Sequence, residues 1–448
     1  MAELTRRDLA AERRGRGATK PVRHGQLKKH RGWPTALKFV ASALAVVLVA
    51  GLSVSAYAGY TLSKKLNDNA IDLTPGDLDP VAQVGEFKGG FNLLVVGVDN
   101  DADQGNAYGA RGGTLNDVNI LLHVSADHKS ATVVSLPRDL IIPHPTCTNP
   151  ETGGTYGAMS ARPLNEAMSR GGLACVVATV ANLTGLKIPY AAQMSFKAVV
   201  KMTDAIGGVQ VCLADPINDK KSDLDLPAGT QTISGKTALA FLRVRHGVGD
   251  GSDLSRISVQ QIYLSALVRQ IKSADTLTNP GKLYGLADAA ATHVKLSTSL
   301  TSVDTMVAMA QTLRTINLKT MSFVQYPGST GDKRYPGKVV PNVAVATQLF
   351  DLIKADKPVK AGSLGRAAEV EVTETPAPPS TPAVTPTPTK TPAPTQTPTQ
   401  TPTATPTKTP TATVTPPATP APEATPDTLE SVVGQTADQQ TCAKGFLK

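Results

Sequence analysis

The sequence is poor in aromatic residues and cysteine, and it lacks the short motifs of the common catalytic centres. Only 4% of its 448 residues are aromatic, and a single one is tryptophan. No GxSxG, GxxxxGK[ST] or HExxH motif occurs, and no GxGxxG follows a predicted strand. These absences argue against a hydrolase of the nucleophile-elbow type, a P-loop, a zinc protease and a dinucleotide site. The four cysteines lack CxxC or CxxH spacing, so we expect no zinc site.

Positive charge is concentrated at the N-terminus. The formal net charge is +9, and residues 1–38, with 11 Lys/Arg against 3 Asp/Glu, account for +8 of it. The rest of the chain is nearly neutral and lacks the basic footprint of a nucleic-acid-binding domain. We therefore expect no nucleic-acid partner, and we assign the basic leader to membrane topology and anionic lipid.

A long uncharged stretch follows the leader. Residues 39–63 contain no charged residue, and as a helix they would extend about 37 Å, enough to cross a hydrocarbon core of about 30 Å. We predict a transmembrane helix at 39–61, since a cleaved signal peptide would be shorter and nearer the N-terminus. The basic cluster before it predicts a cytoplasmic N-terminus and an extracellular location for everything beyond the span.

All four cysteines follow the predicted span, which suits an oxidising environment outside the cell. Cys147 and Cys175 flank a loop whose closure by a disulfide would contribute about 3.5 kcal/mol in the chain-entropy model. Cys212 and Cys442 could pair with each other, or either could remain free. The sequence does not decide between these alternatives.

The C-terminal region, residues 358–448, is predicted to be a low-complexity, disordered tail. Residues 373–427 contain 17 prolines in 55 positions, most of them beside threonine. Without an apolar face such a segment cannot offset the entropy of ordering. As an extended tether it would reach at most about 170 Å, and threonine beside proline also suits O-glycosylation.

Between an extracellular linker at 62–89 and that tail, residues 90–357 are predicted to fold as one catalytic domain. Short apolar runs indicate strands buried on both faces, and helical patterns alternate with them. The predicted strands are 91–99, 118–124, 131–136, 209–213 and 320–326, and the predicted helices are 162–185, 195–208, 235–245, 254–271, 302–316 and 342–356. This alternation favours an α/β layered fold with helices on both faces of a sheet.

Charged residues stand at the carboxyl ends of two predicted central strands. Asp99 ends the first strand, and Arg138 and Asp139 follow the third in the sequence SLPRD. Asp117 precedes its strand, so it reaches the same sheet edge only if that strand is antiparallel to its neighbours, which predicts a mixed sheet. Two carboxylates brought together repel unless a divalent cation joins them, and hard oxygen ligands favour Mg²⁺ or Mn²⁺.

Two further groups of residues add cations to this edge. Arg243 and Arg245 can reach one anion only where their helix unwinds, and the glycines of HGVGDGSD permit that. Asp253, Arg256 and Gln260 can share one face at the start of the next helix, although an N-cap at Asp253 in a solvated turn explains this spacing equally well. Arginine binds phosphate oxygens bidentately, so the set predicts a polyphosphate site completed by a metal ion.

These motifs, in this order and spacing, resemble the LytR-CpsA-Psr family. The segments that carry the resemblance are NLLVVGVD, SLPRDL, MTDAIGGVQVCL, GKTALAFLRVRHG and DGSDLSRISVQQ. The resemblance implies an α/β/α sandwich with a mixed central sheet, preceded by one transmembrane helix. It also implies a membrane-anchored phosphotransferase that uses Mg²⁺ to move a glycopolymer from an undecaprenyl-pyrophosphate carrier onto cell-wall peptidoglycan.

The resemblance also assigns roles to individual residues. Asp99 and Asp117 match the aspartates of the metal site, and together with Arg138 they are the candidate catalytic residues. The candidate pyrophosphate-binding residues are Arg138, Arg243, Arg245, Arg256, Gln260 and Arg111. The implied partners are a polyprenyl-pyrophosphate-linked glycan, the peptidoglycan acceptor and membrane lipid.

The sequence departs from the family pattern at two positions. Leu115 stands where the family commonly has an arginine, and Val259 replaces the second arginine of the DxxRxxRQ helix. Arg111, in ARGGT, would have to replace the first lost cation. These losses keep open an alternative function, a catalytically weakened scaffold that binds polyprenyl phosphate or wall polymer. A large gain of transfer in Val259→Arg would identify the present chain as attenuated.

Overall fold

The computed structural model describes residues 32–73, 89–100, 114–150, 152–272, 280–370 and 427–446. The chain divides into two units, residues 1–60 and 61–448, and the described part of the first is helical. The helix, α1, runs over Gly32–Asp68, and its segment Leu37–Asp68 is long and apolar enough to cross a membrane. The predicted span at 39–61 lies within it, and leader residues 1–31 are outside the described part.

The last turns of α1 fold with the second unit. Leu66 is 2% exposed and belongs to an apolar cluster of that unit, with Leu62 packed against the same cluster. The prediction of a linker at 62–89 is therefore wrong for its first residues, because two leucines four positions apart share one helix face and bury it. Residues 74–88 lie outside the described part of the chain.

Twenty strands and seven further helices make up the described part of the second unit. The strands are β1 (Phe91–Val98), β2 (Asn116–Val124), β3 (Ala131–Leu136), β4 (Ile141–His144), β5 (Cys147–Thr148), β6 (Thr155–Tyr156), β7 (Met159–Pro163), β8 (Tyr190–Ser195), β9 (Val209–Leu213), β10 (Ile217–Asp219), β11 (Leu224–Leu226), β12 (Gly229–Ile233), β13 (Val294–Leu296), β14 (Met321–Gln325), β15 (Gly328–Thr330), β16 (Val339–Pro341), β17 (Val359–Ser363), β18 (Ala368–Val370), β19 (Asp427–Thr436) and β20 (Thr441–Ala443). The helices are α2 (Ala167–Thr184), α3 (Phe196–Ala205), α4 (Gly235–Arg243), α5 (Asp253–Lys272), α6 (Pro280–His293), α7 (Val303–Thr315) and α8 (Val343–Lys354).

An eight-stranded mixed sheet forms the centre of the unit, in the order β13-β8-β1-β2-β3-β14-β19-β17. Strand β2 is antiparallel to both β1 and β3, with Asn116 opposite Val98 and Asn119 opposite Leu136, whereas β8 is parallel to β1 and β14 is parallel to β3. The end of β1, the start of β2 and the end of β3 therefore meet at one edge. The mixed sheet that the position of Asp117 required is confirmed.

Helices cover both faces of the central sheet, which confirms the predicted α/β/α sandwich. Side chains of β1 alternate between the faces: Leu94 joins an apolar cluster that includes residues of α2 and α8, whereas Phe91 joins one that includes residues of α6 and α7. A third cluster lies between α4, α5 and a second sheet of order β12-β9-β20-β18. The site described below lies beside this third cluster.

Residues 359–370 and 427–446 are part of the fold, which corrects the predicted disordered tail at 358–448 for these two stretches. Strand β19 pairs with β14 and β17 in the central sheet, and β20 pairs with β9 and β18 in the second sheet. Val432 and Ala443 are fully buried. The composition of the Pro/Thr-rich segment misled the prediction, because short strand sequences flank it on both sides. Residues 371–426 lie outside the described part.

Candidate functional site

The predicted arginines converge on one pocket at the edge of the central sheet. The pocket has a volume of about 210 Å³ and lies where β2, the turn after β3, the end of α4 and the first turns of α5 meet. Six predicted site residues line it, namely Asp117, Arg138, Arg243, Arg245, Arg256 and Gln260, and they are accompanied by Phe196, Asp219, Lys221, Leu242 and His246. Tertiary folding thus joins residues from four separate elements into one cationic site.

Asp253, the first residue of α5, is the centre of the pocket's charge arrangement. Its Oδ1 accepts a hydrogen bond from Arg245 and lies 2.8 Å from Arg256 Nη2 and 3.7 Å from Arg138 Nε. Burial by itself would raise the pKa of Asp253, but the three guanidinium groups outweigh burial and hold the pKa below its usual value. The explanation of Asp253 as an N-cap in a solvated turn is wrong, because this carboxylate is 9% exposed and organises three cations.

Arg138 extends from the turn after β3 and contacts two further carboxylates. Its Nη1 lies 2.6 Å from Asp117 Oδ1, and its Nε lies 3.4 Å from Asp139 Oδ2. Asp139 is held in turn by Lys338, whose Nζ lies 2.6 Å from Asp139 Oδ1. Burial lowers the pKa of Arg138, but the carboxylates, Asp117 first, raise it above its usual value. Asp139 therefore orients an arginine that stays charged.

The end of α4 brings the paired arginines into the same pocket. Arg243 is the last helical residue, and Val244 has φ −58° and ψ 138°, which breaks the helix before Arg245. Arg243 lies over the ring of Phe196, with its Cζ 4.7 Å from the ring centroid, a cation–π contact. The predicted unwinding is confirmed, and it lets Arg245 turn toward Asp253.

Arg256 and Gln260 anchor α5 to the elements that carry the other site residues. Arg256 Nη2 donates to the backbone carbonyl of Asp117 at 3.0 Å, and Gln260 Nε2 donates to the carbonyl of Leu242 at 3.0 Å. Burial lowers the pKa of Arg256, although Asp253 opposes that shift. Within the described residues, the buried Nε atoms of Arg245 and Arg256 have no hydrogen-bond partner. Buried donors are costly when unpaired, and an anion in the pocket would supply their acceptors.

Asp219, at the end of β10, holds the paired-arginine segment in place and was not predicted. Its carboxylate accepts hydrogen bonds from the backbone N–H groups of Lys221 at 3.0 Å, Arg245 at 3.1 Å and His246 at 3.2 Å. Burial raises the pKa of Asp219, but these hydrogen bonds outweigh burial and lower it. The only signal in the sequence is that Asp219 stands two positions after the apolar Ile217, on the same buried face of its strand, because no spacing rule links it to residues 243–246.

Of the two remaining predicted residues, Asp99 belongs to the described part of the chain and does not line the pocket. Asp99 is 1% exposed, and its Oδ1 accepts a hydrogen bond from the backbone N–H of Leu115 at 3.1 Å, so it lies beside the loop into β2 and does not line the cavity. Arg111 is outside the described residues, and its role as a replacement cation stays a prediction.

Val259 does not occupy a position from which a cation would line the pocket. It is fully buried in the third apolar cluster with Phe241 and Ile262. The position at which the family pattern carries its second arginine is therefore, in this chain, part of the apolar core and not of the pocket lining.

All four cysteines are in disulfides, so the described part of the chain has no free thiol. The predicted Cys147–Cys175 bond is confirmed and joins β5 to α2. Cys212 pairs with Cys442, which decides the alternative that the sequence left open. This second bond attaches β20 to β9 and thereby fastens the C-terminal residues to the domain.

The fold and the pocket define an α/β domain with an arginine-lined anion site, and comparison with known proteins specifies its family. The model of the LytR_cpsA_psr family matches residues 54–353. The chain therefore belongs to this family, as its motifs predicted.

Relatives of known name are similar to more than half of the chain. Cell wall biosynthesis protein LcpA of Corynebacterium glutamicum is 34% identical over 291 residues, which cover 59% of this chain and 55% of LcpA. The polyisoprenyl-teichoic acid–peptidoglycan teichoic acid transferase TagT of Bacillus subtilis is 28% identical over 259 residues, which cover 56% of this chain and 74% of TagT. The crystal structure of B. subtilis TagV aligns with a TM-score of 0.45 and 20% identity, covering 60% of this chain and 98% of that one. The chain spans about half the length of the C. glutamicum proteins that it matches.

Proposed function

We propose that this protein is a membrane-anchored phosphotransferase that moves a glycopolymer from a polyprenyl-pyrophosphate carrier, of the undecaprenyl type, onto cell-wall peptidoglycan. The observation that carries the proposal is a pocket lined by Arg138, Arg243, Arg245 and Arg256, three of which converge on the carboxylate of Asp253. The oxygens of a pyrophosphate match this arrangement in charge and in geometry. The similarity to TagT, a teichoic acid transferase to peptidoglycan, supports the choice of glycan and acceptor.

The proposed location follows from α1 and from the disulfides. The helix is long and apolar enough to span a membrane, and the basic leader before it favours a cytoplasmic N-terminus. Two disulfides in the domain suit an oxidising extracellular space. The pocket would then face the side of the membrane on which the wall is assembled.

The reaction is a transfer at phosphorus. The acceptor hydroxyl attacks the phosphorus that bears the glycan, a new P–O bond forms, and the bond from that phosphorus to the bridging oxygen breaks. Polyprenyl phosphate leaves with the bridging oxygen and its electron pair. Arg138, Arg245 and Arg256, arranged around Asp253, neutralise the charge that grows on the leaving phosphate. Asp117, which lines the pocket, takes the proton of the hydroxyl.

Mg²⁺ is the proposed cofactor, with Mn²⁺ as a substitute. In the described part of the chain no group of three or more His, Cys, Asp or Glu side chains could hold a metal ion, which does not suit a metal enclosed by protein ligands alone. Mg²⁺ is instead often held by one or two carboxylates together with substrate phosphates and water. Asp117, which lines the pocket, would be such a carboxylate, whereas Asp99, the other predicted metal ligand, is buried outside the pocket lining; the bound ion would neutralise part of the pyrophosphate charge.

The scaffold alternative loses one of its two arguments. It depended on missing arginines at Leu115 and Val259, and Val259 lies in an apolar core where a cation would not reach the ligand. Leu115 remains, beside the buried Asp99.

The decisive experiment uses the full chain in detergent with a polyprenyl-pyrophosphate-linked glycan, peptidoglycan and Mg²⁺. We expect transfer that requires the metal, and we expect Arg138→Ala to lower it by at least about 100-fold, since losing one oriented transition-state contact has this size. Arg162→Ala is the matched control, because Arg162 is 48% exposed and pairs with Glu166 outside the pocket. An inactive wild-type chain, or an Arg138→Ala variant as active as the control, would contradict the proposal and favour the scaffold.

A further inference from the structure

The C-terminal segment Thr441–Phe446 lies against the loop that leads into the site. This segment comprises β20 and the three residues after it, and the loop comprises residues 246–252 between Arg245 and Asp253. The backbone N–H of Gly249 donates to the carbonyl of Lys444 at 3.3 Å, and bridges join Val248 to Gly445 and Gly249 to Phe446. The loop between two site residues is thus bound to the far end of the chain.

Close packing leaves this loop little freedom. A Cβ added at Gly251 would lie 3.1 Å from the ring of Phe446, and one added at Gly249 would lie 2.6 Å from Ser255 Oγ. Both glycines have positive φ, 75° and 50°, which other residues rarely adopt. The loop therefore follows one path between Phe446 on one side and the start of α5 on the other.

A second contact fixes the same loop through its only carboxylate. Asp250 accepts hydrogen bonds from Ser255 Oγ at 2.5 Å and from Arg366 Nη1 at 2.6 Å. Arg366 lies just before β18, the strand that pairs with β20. The loop is consequently held by the C-terminal segment and by a neighbour of that segment.

The position of the loop directly affects the pocket, because the loop ends at Ser252 and the next residue is Asp253. The Asp253 carboxylate positions Arg245, Arg256 and Arg138. A displacement of the loop therefore moves the anchor of three guanidinium groups at once, and an error of about 1 Å in such a constellation is enough to weaken it strongly.

The Cys212–Cys442 disulfide is the covalent part of this attachment. Cys442 lies opposite Cys212 in the parallel pair of β20 and β9. Beside it, the backbone N–H of Ala214 donates to the carbonyl of Ala443 at 2.9 Å, and that of Gly445 donates to Asp215 Oδ2 at 3.2 Å. The backbone joins this segment to β19, which ends at Thr436 in the central sheet, and the disulfide adds a second covalent link, to β9 beside the site.

We infer that the C-terminal segment Thr441–Phe446, fastened by the Cys212–Cys442 disulfide, is a positioning element of the arginine pocket: it holds the 246–252 loop and thereby sets Asp253 for pyrophosphate binding. The inference rests on the proposed function, to which it adds a part of the chain distant in sequence from every site motif. Phe446 and Cys442 are positioning residues that act through the loop.

The first test compares two exposed aromatic residues in the full chain. Phe446 is 50% exposed and Tyr284 is 51% exposed, so removing either ring should disturb the fold to a similar, small extent. We expect Phe446→Ala to weaken the binding of inorganic pyrophosphate by about tenfold and to raise amide hydrogen exchange in residues 246–252, and we expect Phe446→Tyr to restore both. Tyr284→Ala should change neither. Unchanged affinity and exchange in Phe446→Ala would overturn the inference.

The second test compares the two disulfides. Cys212→Ser with Cys442→Ser should weaken pyrophosphate binding and loosen the loop, whereas Cys147→Ser with Cys175→Ser should lower the melting temperature and leave affinity unchanged. Equal affinities in the two double variants would contradict the role of the Cys212–Cys442 bond.

A reduction experiment covers the case in which the first double variant fails to fold. In the Cys147→Ser, Cys175→Ser chain, Cys212–Cys442 is the one remaining disulfide, and a reductant opens it while β19 and β20 stay part of the chain. We expect reduction to weaken pyrophosphate binding and to raise amide hydrogen exchange in residues 246–252. Affinity and exchange that are unchanged by reduction would overturn the role of the disulfide in the inference.

These experiments separate the inference from the proposed function. If the wild-type chain and Arg138→Ala both fail to bind pyrophosphate, the proposed function fails. The exchange of the 246–252 loop in Phe446→Ala still reports on the positioning contact in that case, because it requires no ligand.

Discussion

Asp253 shows how one buried carboxylate balances the charge of several arginines and holds them together at a pocket. It is paired with Arg245 and Arg256 and lies near Arg138. Without it, three guanidinium groups would repel one another in a region of low dielectric. Its charge is thus needed before any ligand arrives, and it limits how far the arginines can move.

Asp253→Asn should destabilise the protein by about 3 to 5 kcal/mol, because removing one member of a buried ion pair leaves the others uncompensated. Asparagine has nearly the same shape, so the loss reports on charge and not on packing. Urea unfolding at neutral pH measures it. Asp332→Asn is the control, since Asp332 pairs with an exposed arginine, and an equal loss in both variants would contradict the assignment.

The lowered pKa of Asp253 also predicts the acid limb of stability. A carboxylate whose folded pKa is depressed contributes stability that is fully present above its unfolded pKa of about 3.9 and is lost as the pH falls through the folded value. Asp219 acts in the same direction. We expect the free energy of unfolding of the wild type to fall as the pH is lowered below about 5, and that of Asp253→Asn to fall less steeply. Urea unfolding of both proteins at several pH values compares the two slopes.

Position 259 gives a prediction opposite to the one that the motif alone suggested. Val259→Arg should be destabilised by several kcal/mol, about the cost of an unpaired buried charge, with no gain in pyrophosphate affinity. Leu115→Arg is the matched variant, because Leu115 is only partly buried and lies beside Asp99. Unfolding and calorimetric binding measure both, and a stable Val259→Arg chain with tighter binding would refute the placement of Val259 in the core.

At the scale of elements, the hairpin of β10 and β11 serves as a support for the end of α4. Its Asp219 accepts hydrogen bonds from two successive backbone N–H groups, those of Arg245 and His246. Because the helix is broken at Val244, these N–H groups are outside its hydrogen-bond ladder, and the Asp219 carboxylate is their acceptor. The hairpin therefore makes the unwound conformation of residues 244–246 stable.

Asp219→Ala should weaken pyrophosphate binding at least tenfold, or about 1.4 kcal/mol, because the paired-arginine segment loses its anchor. Titration calorimetry with inorganic pyrophosphate measures the change. Asp225→Ala, at an exposed position of the same hairpin, should bind as the wild type does. A shared loss in both variants would show that the hairpin and not the carboxylate is responsible.

Elements were predicted well where local pattern decides them. The predicted helix at 235–245 is found as α4 (Gly235–Arg243), and that at 254–271 as α5 (Asp253–Lys272). Their ends, set by glycines and by apolar periodicity, are local features. Strands β19 and β20 were missed, because ten and three residues beside a Pro/Thr-rich segment carry too little pattern of their own.

At the scale of the whole molecule, strands from the C-terminal region pair with strands that come much earlier in the sequence. Strand β19 enters the central sheet between β14 and β17, which precede it by more than sixty residues in sequence. The C-terminal strands therefore complete both sheets, and the described domain includes residues 427–446 as well as 61–370, with the gaps noted above.

A chain truncated after Val370 should fail to fold. It loses β19 and β20 with the buried Val432 and Cys442, and each large apolar side chain contributes about 1.5 to 3 kcal/mol against a typical total stability of about 5 to 15 kcal/mol. Circular dichroism and thermal unfolding measure the effect.

The matched control removes only residues 378–418. Asp427 lies opposite Val359, and Val359 precedes Val370 by eleven residues. At most about 40 Å therefore separates Val370 from Asp427, and the fifteen residues that remain between them can span this distance. This chain should melt as the wild type does. A stable truncation, or an unstable internal deletion, would contradict the role assigned to the C-terminal strands.

The sequence by itself determined a helix long and apolar enough to cross a membrane, the α/β class, the order of the motifs and six residues of the pocket, because apolar periodicity, charge runs and motif spacing act between near neighbours. Only the tertiary structure decided that Asp253 anchors three arginines, that Val259 faces a core, that Asp219 supports the end of α4 and that Cys212 pairs with Cys442. Each of these depends on the path by which distant segments return to one place. That path is set by burial summed over the whole chain, and no local pattern records it.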